Sequence, residues 1–151
     1  MKTMNLLLNL LLLFSSCKEN CDVPVQIIGT GEIVENALVS QPIITWDMKA
    51  KEHIIQTDSQ NIYDLSVSFD DGNTFDSIDF SKYTLLGKYA SEGCRVSFER
   101  NVTKDNLDKK VYFDIIVYQC GACKTYVESM NWVLIPKISN DYTVVFSVKE
   151  K

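Results

Sequence analysis

Alternation at a period of two is what most limits how this chain can fold. In residues 65–69, Leu65, Val67 and Phe69 face one way while Ser66 and Ser68 face the other. Residues 94–99 alternate likewise, with Cys94, Val96 and Phe98 set against Arg95, Ser97 and Glu99. In residues 111–118, Val111, Phe113, Ile115 and Val117 share one face, and Tyr112, Asp114, Ile116 and Tyr118 share the other. Val144, Phe146 and Val148 repeat the pattern. Successive side chains of a strand point to opposite faces, so such runs bury one apolar face as β-strands. Residues 25–28, 43–48, 84–89 and 132–135 add further apolar, β-branched and aromatic runs of strand length. No segment offers a long amphipathic helix. Asp71-Gly72-Asn73 and the polar stretch 104–110 read as turns. Eight or so short strands predict an all-β fold, a single antiparallel β-sandwich over residues 24–151. With 151 residues, 46% of them apolar, the chain has material for one domain and one core.

Ahead of that domain, residues 1–17 read MKTMNLLLNLLLLFSSC. Lys2 supplies a positive start, residues 6–14 an apolar run broken only by Asn9, and Ser15 and Ser16 a small pair. That is the layout of a secretory signal peptide over residues 1–16. The run is too short to span a bilayer, which takes roughly 20 apolar residues. The cysteine after the small pair resembles the lipobox of bacterial lipoproteins, with Phe14 where leucine is commoner. The resemblance implies that Cys17 becomes the acylated first residue of the mature protein. Residues 17–23 are then a lipidated tether. Lys18-Glu19-Asn20 is similar to the Lys- and acid-rich signals that send lipoproteins of Bacteroidota-type bacteria to the cell surface. The address implied is the outer membrane, lipid-anchored, on its periplasmic or surface face.

Ser68, Asp70, Gly72, Thr74 and Phe75 fit the pattern Ser-x-Asp-x-Gly-x-Thr-aromatic. This resembles the Asp-box, a β-hairpin turn repeated in sialidase propellers and found singly in other β folds. Asp70 and the hydroxyls are expected to bond backbone amides of the turn, with the closing aromatic packed beneath, and the role is structural. Residues 63–75 also look like the central hairpin of immunoglobulin-like and fibronectin type III-like modules. Asp76-Ser77-Ile78 matches the short O-glycosylation acceptor pattern of Bacteroidota-type exported proteins, which makes Ser77 a candidate for modification.

The cysteines are the one constellation with chemistry. Beyond Cys17 there are Cys21, Cys94, Cys120 and Cys123, an even number, which in an exported protein points to disulfides. Cys94, on the apolar side of its run, is expected to point inward. Cys120-Gly121-Ala122-Cys123, directly after a strand, resembles a thioredoxin-like active site, where the first cysteine opens a helix whose dipole lowers the thiol pKa. Residues 124–130 would be that helix. Against this, only 28 residues follow Cys123, the preceding hundred or so read as β, and Gln119 stands where an aromatic is expected. A zinc site would normally need two CxxC pairs. A disulfide staple is the favoured reading.

Other chemistries find little support. One histidine, His53, has no partner at a triad spacing and reads as a surface or strand-end residue. Asp114 reads as exposed between tyrosines. No glycine-rich phosphate loop, metal cluster or cofactor motif is present. The net charge of −5 argues against nucleic acid. Trp46 and Trp132 lie in apolar runs and are expected in the core. The function expected is therefore non-enzymatic: a lipid-anchored binding or accessory subunit. Its partner would be an outer-membrane or surface protein complex, or a glycan. A thiol-active lipoprotein using Cys120 and Cys123 is one alternative, and an inhibitor or immunity lipoprotein another.

Overall fold

The structure, a computed structural model, describes residues 29–121 and 125–151. The expected lipid site Cys17, the tether 17–23, Cys21, Cys123 and the strand expected over 25–28 lie outside the described residues.

Besides a single 3-10 turn (Asp58–Gln60), ten strands and one short α-helix make up the described residues. They are β1 (Thr30–Gly31), β2 (Leu38–Val39), α1 (Trp46–Ala50), β3 (Glu52–Ile55), β4 (Ser66–Ser68), β5 (Asp76–Ser77), β6 (Tyr83–Gly93), β7 (Arg95–Asp105), β8 (Lys110–Cys120), β9 (Tyr126–Pro136) and β10 (Thr143–Glu150). The all-β class is as expected. The layout differs from a single antiparallel sandwich in two respects, the number of sheets and the direction of two pairings. The strands form three sheets, ordered β3-β6-β9, β1-β7-β8-β10 and β2-β4-β5. In the four-stranded sheet β1 runs parallel to β7, and β10 runs parallel to β8. The physical reason lies in the connection: the chain leaves β8, crosses to the neighbouring sheet as β9, and returns beside β8. Two reversals restore the original direction, whereas a tight hairpin gives antiparallel neighbours.

The β3-β6-β9 sheet is the middle layer. On β6, Leu85 and Leu86 are adjacent in sequence and both fully buried, one on each face. Leu85 joins Met130, Trp132 and Leu134 of β9, together with Val39, Met48, Leu65, Val67, Ile78 and Phe80, in one core cluster. Leu86 joins Val133 and Ile135 of β9, and Val102, Val111, Phe113, Ile115 and Val117 of the four-stranded sheet, in a second. A continuous apolar run is what a strand buried on both faces requires. The alternating runs over 111–118 and 144–148, by contrast, sit in a sheet covered on one side.

Close packing in the middle layer depends on one glycine. Gly87 faces Trp132 across the β6–β9 ladder, and a Cβ at position 87 would meet the indole ring at 2.0 Å. The Trp132 ring fills the space a side chain would need. Gly87→Ala is therefore expected to destabilise the fold by about 1–3 kcal/mol through overpacking. Chemical denaturation of the two proteins checks this, and an unchanged midpoint would refute it.

Candidate functional site

Two aromatic positions expected in the core part company. Trp132 is buried, as expected. Trp46 is 83% exposed, a correction to the reading that placed it inside. The strand expected over 43–48 gives way to α1, because Thr45 caps the turn by accepting the Met48 N–H on its Oγ1 at 3.4 Å. Asp47 in the first turn also favours a helix start. Thr45 ahead of Asp47 was the sequence signal for this helix. Helical geometry then turns Met48 into the core and Trp46 outward.

Although α1 is only five residues long, it is fastened on several sides. Met48 is buried, and its carbonyl accepts from the Nε2–H of His53 at 3.1 Å. Lys49 pairs with Glu128 of β9, which also accepts from the Tyr89 hydroxyl at 2.7 Å. Asp47 accepts from Lys51 and from the Tyr63 hydroxyl, both at 2.7 Å. Those bonds hold the Asp47 carboxyl below its ordinary pKa, with Lys51 the larger cause. Burial, aided by the nearby carboxylate, pushes the Tyr63 phenol up to about 12. His53, the second residue of β3, sits near a strand end as one of the two expectations had it, but it is buried at 8% exposure and not at the surface. Its ring lies 5.4 Å from that of Tyr63 and 5.3 Å from that of Trp132. Ile62, 72% exposed, adjoins Tyr63, and Ile43, 90% exposed, precedes the helix. The result is an exposed indole on a fixed base, with large aliphatic residues on the segments that adjoin that base.

The Ser68–Phe75 hairpin forms the network its pattern implies. Ser68 Oγ accepts from the Gly72 N–H at 2.9 Å and the Asp70 N–H at 3.3 Å, and its hydroxyl donates to Asp70 Oδ1 at 2.6 Å. Asp70 in turn accepts from the Thr74 N–H at 2.9 Å and the Thr74 hydroxyl at 2.7 Å. Asp71 and Gly72 occupy the left-handed region, with φ of 57° and 85°, which glycine tolerates and aspartate accepts at modest cost. One expectation fails: Phe75 is 43% exposed and covers the turn only in part. Ser77 lies on β5 and is exposed.

The described cysteines gather at one end. Cys94 is the sole residue between β6 and β7, so the chain changes sheets there, with φ of 66°. It is half-buried at a corner rather than inward on a strand. Its N–H donates to the carbonyl of Thr125, just before β9, at 2.8 Å. Cys120 ends β8 and faces Arg95 across the ladder, one residue from Cys94. Neither Cys94 nor Cys120 lacks a partner. The helix a thioredoxin-like site would need after Cys123 is not formed over Tyr126–Met130, which belongs to β9.

Asp114 is half-buried rather than exposed. It accepts from Ser147 and from Lys149 of β10, which together lower its pKa, Ser147 being the larger cause. Among the described residues no three His, Cys, Asp or Glu side chains converge on one point, and no helix is long and apolar enough to cross a membrane. No protein family, curated protein or solved structure matches the chain.

Hydrogen bonds from Ser68 and Thr74 hold the Asp70 carboxyl down at about 2, from 3.8. A carboxylate whose pKa falls on folding stabilises the fold above its unfolded pKa and loses that contribution as pH drops through the folded one. The hairpin is thus expected to keep this contribution above about pH 4 and lose it towards pH 2. Carboxyl-carbon NMR should place the Asp70 midpoint well below 3.8 in the parent. In Ser68→Ala it should return towards that value, and a parent midpoint already there would refute the account.

Proposed function

We propose that this chain is a lipid-anchored, non-enzymatic binding or accessory subunit of a bacterial cell envelope, held by an acylated Cys17 and recognising its partner through the surface around Trp46. The observation that carries the reading is an 83% exposed tryptophan on a base fixed by Met48, Lys49 and Asp47. Binding hot spots are enriched in tryptophan, because a large ring buries much area at little cost in conformational entropy. Ile43 and Ile62 extend the apolar area. The partner class is an outer-membrane or surface protein complex, or a glycan stacked on the indole. The leader of residues 1–16 supports the address, and exposed Ser77 is open to glycosylation there.

The cysteines fit the same compartment. We propose a disulfide staple drawn from Cys21, Cys94, Cys120 and Cys123, supported by the meeting of the β6–β7 corner with the ends of β8 and the start of β9. Closing those ends would stabilise the domain by roughly 2–4 kcal/mol. The strand at Tyr126–Met130 weighs against thiol catalysis.

Two measurements test these readings. Intact mass of membrane-extracted protein should fit acylated Cys17–Lys151, with later cysteines alkylated only after reduction. An unlipidated mass, or freely alkylated Cys94 and Cys120, would overturn the anchor or the staple respectively. Trp46→Ala should weaken crosslinking to the membrane partner at least about tenfold while moving stability by under about 0.5 kcal/mol. Undiminished crosslinking would remove Trp46 from the interface.

A further inference from the structure

The outer edge of β10 leads to a different surface. β10 closes one side of the four-stranded sheet, and among the described residues no strand pairs with its far edge. Its inner ladder to β8 uses the odd-numbered residues: the N–H groups of Thr143 and Lys151 donate to the carbonyls of Lys109 and Val117, both at 2.9 Å. Backbone groups alternate in direction along a strand. The N–H and C=O of Val144, Phe146, Val148 and Glu150 therefore point out of the sheet. The same even-numbered side chains form the inward face, where Val144 and Phe146 pack against the core but stay half-buried, and Val148 is 42% exposed. An open ladder and an incompletely covered apolar face thus coincide along eight residues.

We propose that a second copy of this chain completes this edge, β10 against β10 antiparallel about a twofold axis through Phe146. In an antiparallel pair directly opposed residues share a face. With Phe146 opposite the partner's Phe146, Val144 lies opposite the partner's Val148, and the apolar face runs on into the second copy. The outward N–H and C=O groups meet as hydrogen-bonded pairs. At the ends, Asp141 comes opposite the partner's Lys151, so the charges match. Shifting the register by two in one direction sets Val144 against Glu150 and Val145 against Lys149. Shifting by two in the other leaves residues 148–150 facing the non-strand residues 140–142. The centred register pairs residues 143–149 of the two strands with one another, sets apolar against apolar on the inward face and places opposite charges at its ends. This interface shares no residue with the Trp46 surface, so it stands or falls independently of the proposed function.

The full chain purified in detergent gives the test by sedimentation or light scattering. A dimer is expected. Val148→Pro removes an outward donor and leaves the odd-numbered ladder to β8 intact; edge positions tolerate proline. It should raise the dimer dissociation constant by about tenfold or more. Lys151→Glu sets like charges opposite one another and should weaken the dimer about two- to fivefold, and adding Asp141→Lys should restore it. The charge pair serves as the control if the proline variant misfolds. A chain still monomeric at about 100 μM would overturn the proposal, whether the edge is then covered by its own residues 1–28 or by another protein. So would a dimer indifferent to both the proline and the charge exchange.

Discussion

Between β6 and β9, eleven residues of one strand face eleven of the other, and both faces of that ladder are covered by apolar side chains. Each core cluster draws members from these two strands, so neither outer sheet has a core without them. A strand buried on both faces must have its backbone groups paired within the sheet, since no water reaches them. The long ladder satisfies that need, and the side chains above and below contribute most of the burial. Gly87 is where the two requirements meet: the strand has to come close enough for the Trp132 ring to lie across its backbone.

The candidate sites sit at the margins of this middle layer. The base of Trp46 is bound to it through Met48, Lys49 and the His53 ring, which packs against Trp132. The cysteine corner is where β6 turns out of the middle sheet into β7. The open edge of β10 is the outer side of the four-stranded sheet, whose inner face still packs Val144 and Phe146 against the core shared with the middle sheet. The function proposed here rests on surfaces held in place by a deep core.

The sequence disclosed the parts of the fold that local pattern controls. β8 and β10 were legible because one face is apolar and the other is not, and β6 and β9 because they hold apolar, β-branched runs. The two-residue strands β1, β2 and β5 were not legible, since their assignment depends on a partner distant in sequence. The parallel β8–β10 pairing was hidden for the same reason. At residues 43–48 the apolar residues suggested a strand, while Thr45 and Asp47 carried a helix signal that proved decisive. Trp46 and His53 were misplaced through one assumption: that residue type fixes burial. An apolar residue is often exposed, and a histidine can be buried where a carbonyl accepts its N–H. Of the candidate sites, the Ser68–Thr74 network was fully legible because it is local. The Trp46 surface required the tertiary structure.

Ser68 also bears on how this protein ages. An Asp-Gly step in an exposed turn is prone to isomerise, because the glycine nitrogen can attack the aspartate carboxyl and close a succinimide, which reopens mostly to isoaspartate. Asp71-Gly72 is such a step, and Asp71 is exposed. Here the Gly72 N–H is donated to Ser68 Oγ, and the left-handed backbone at both residues is fixed by the surrounding bonds. The attacking nitrogen has to give up that hydrogen bond, and the backbone has to leave its fixed conformation, before the ring can close. The hydroxyl that shapes the turn therefore also lengthens its chemical lifetime.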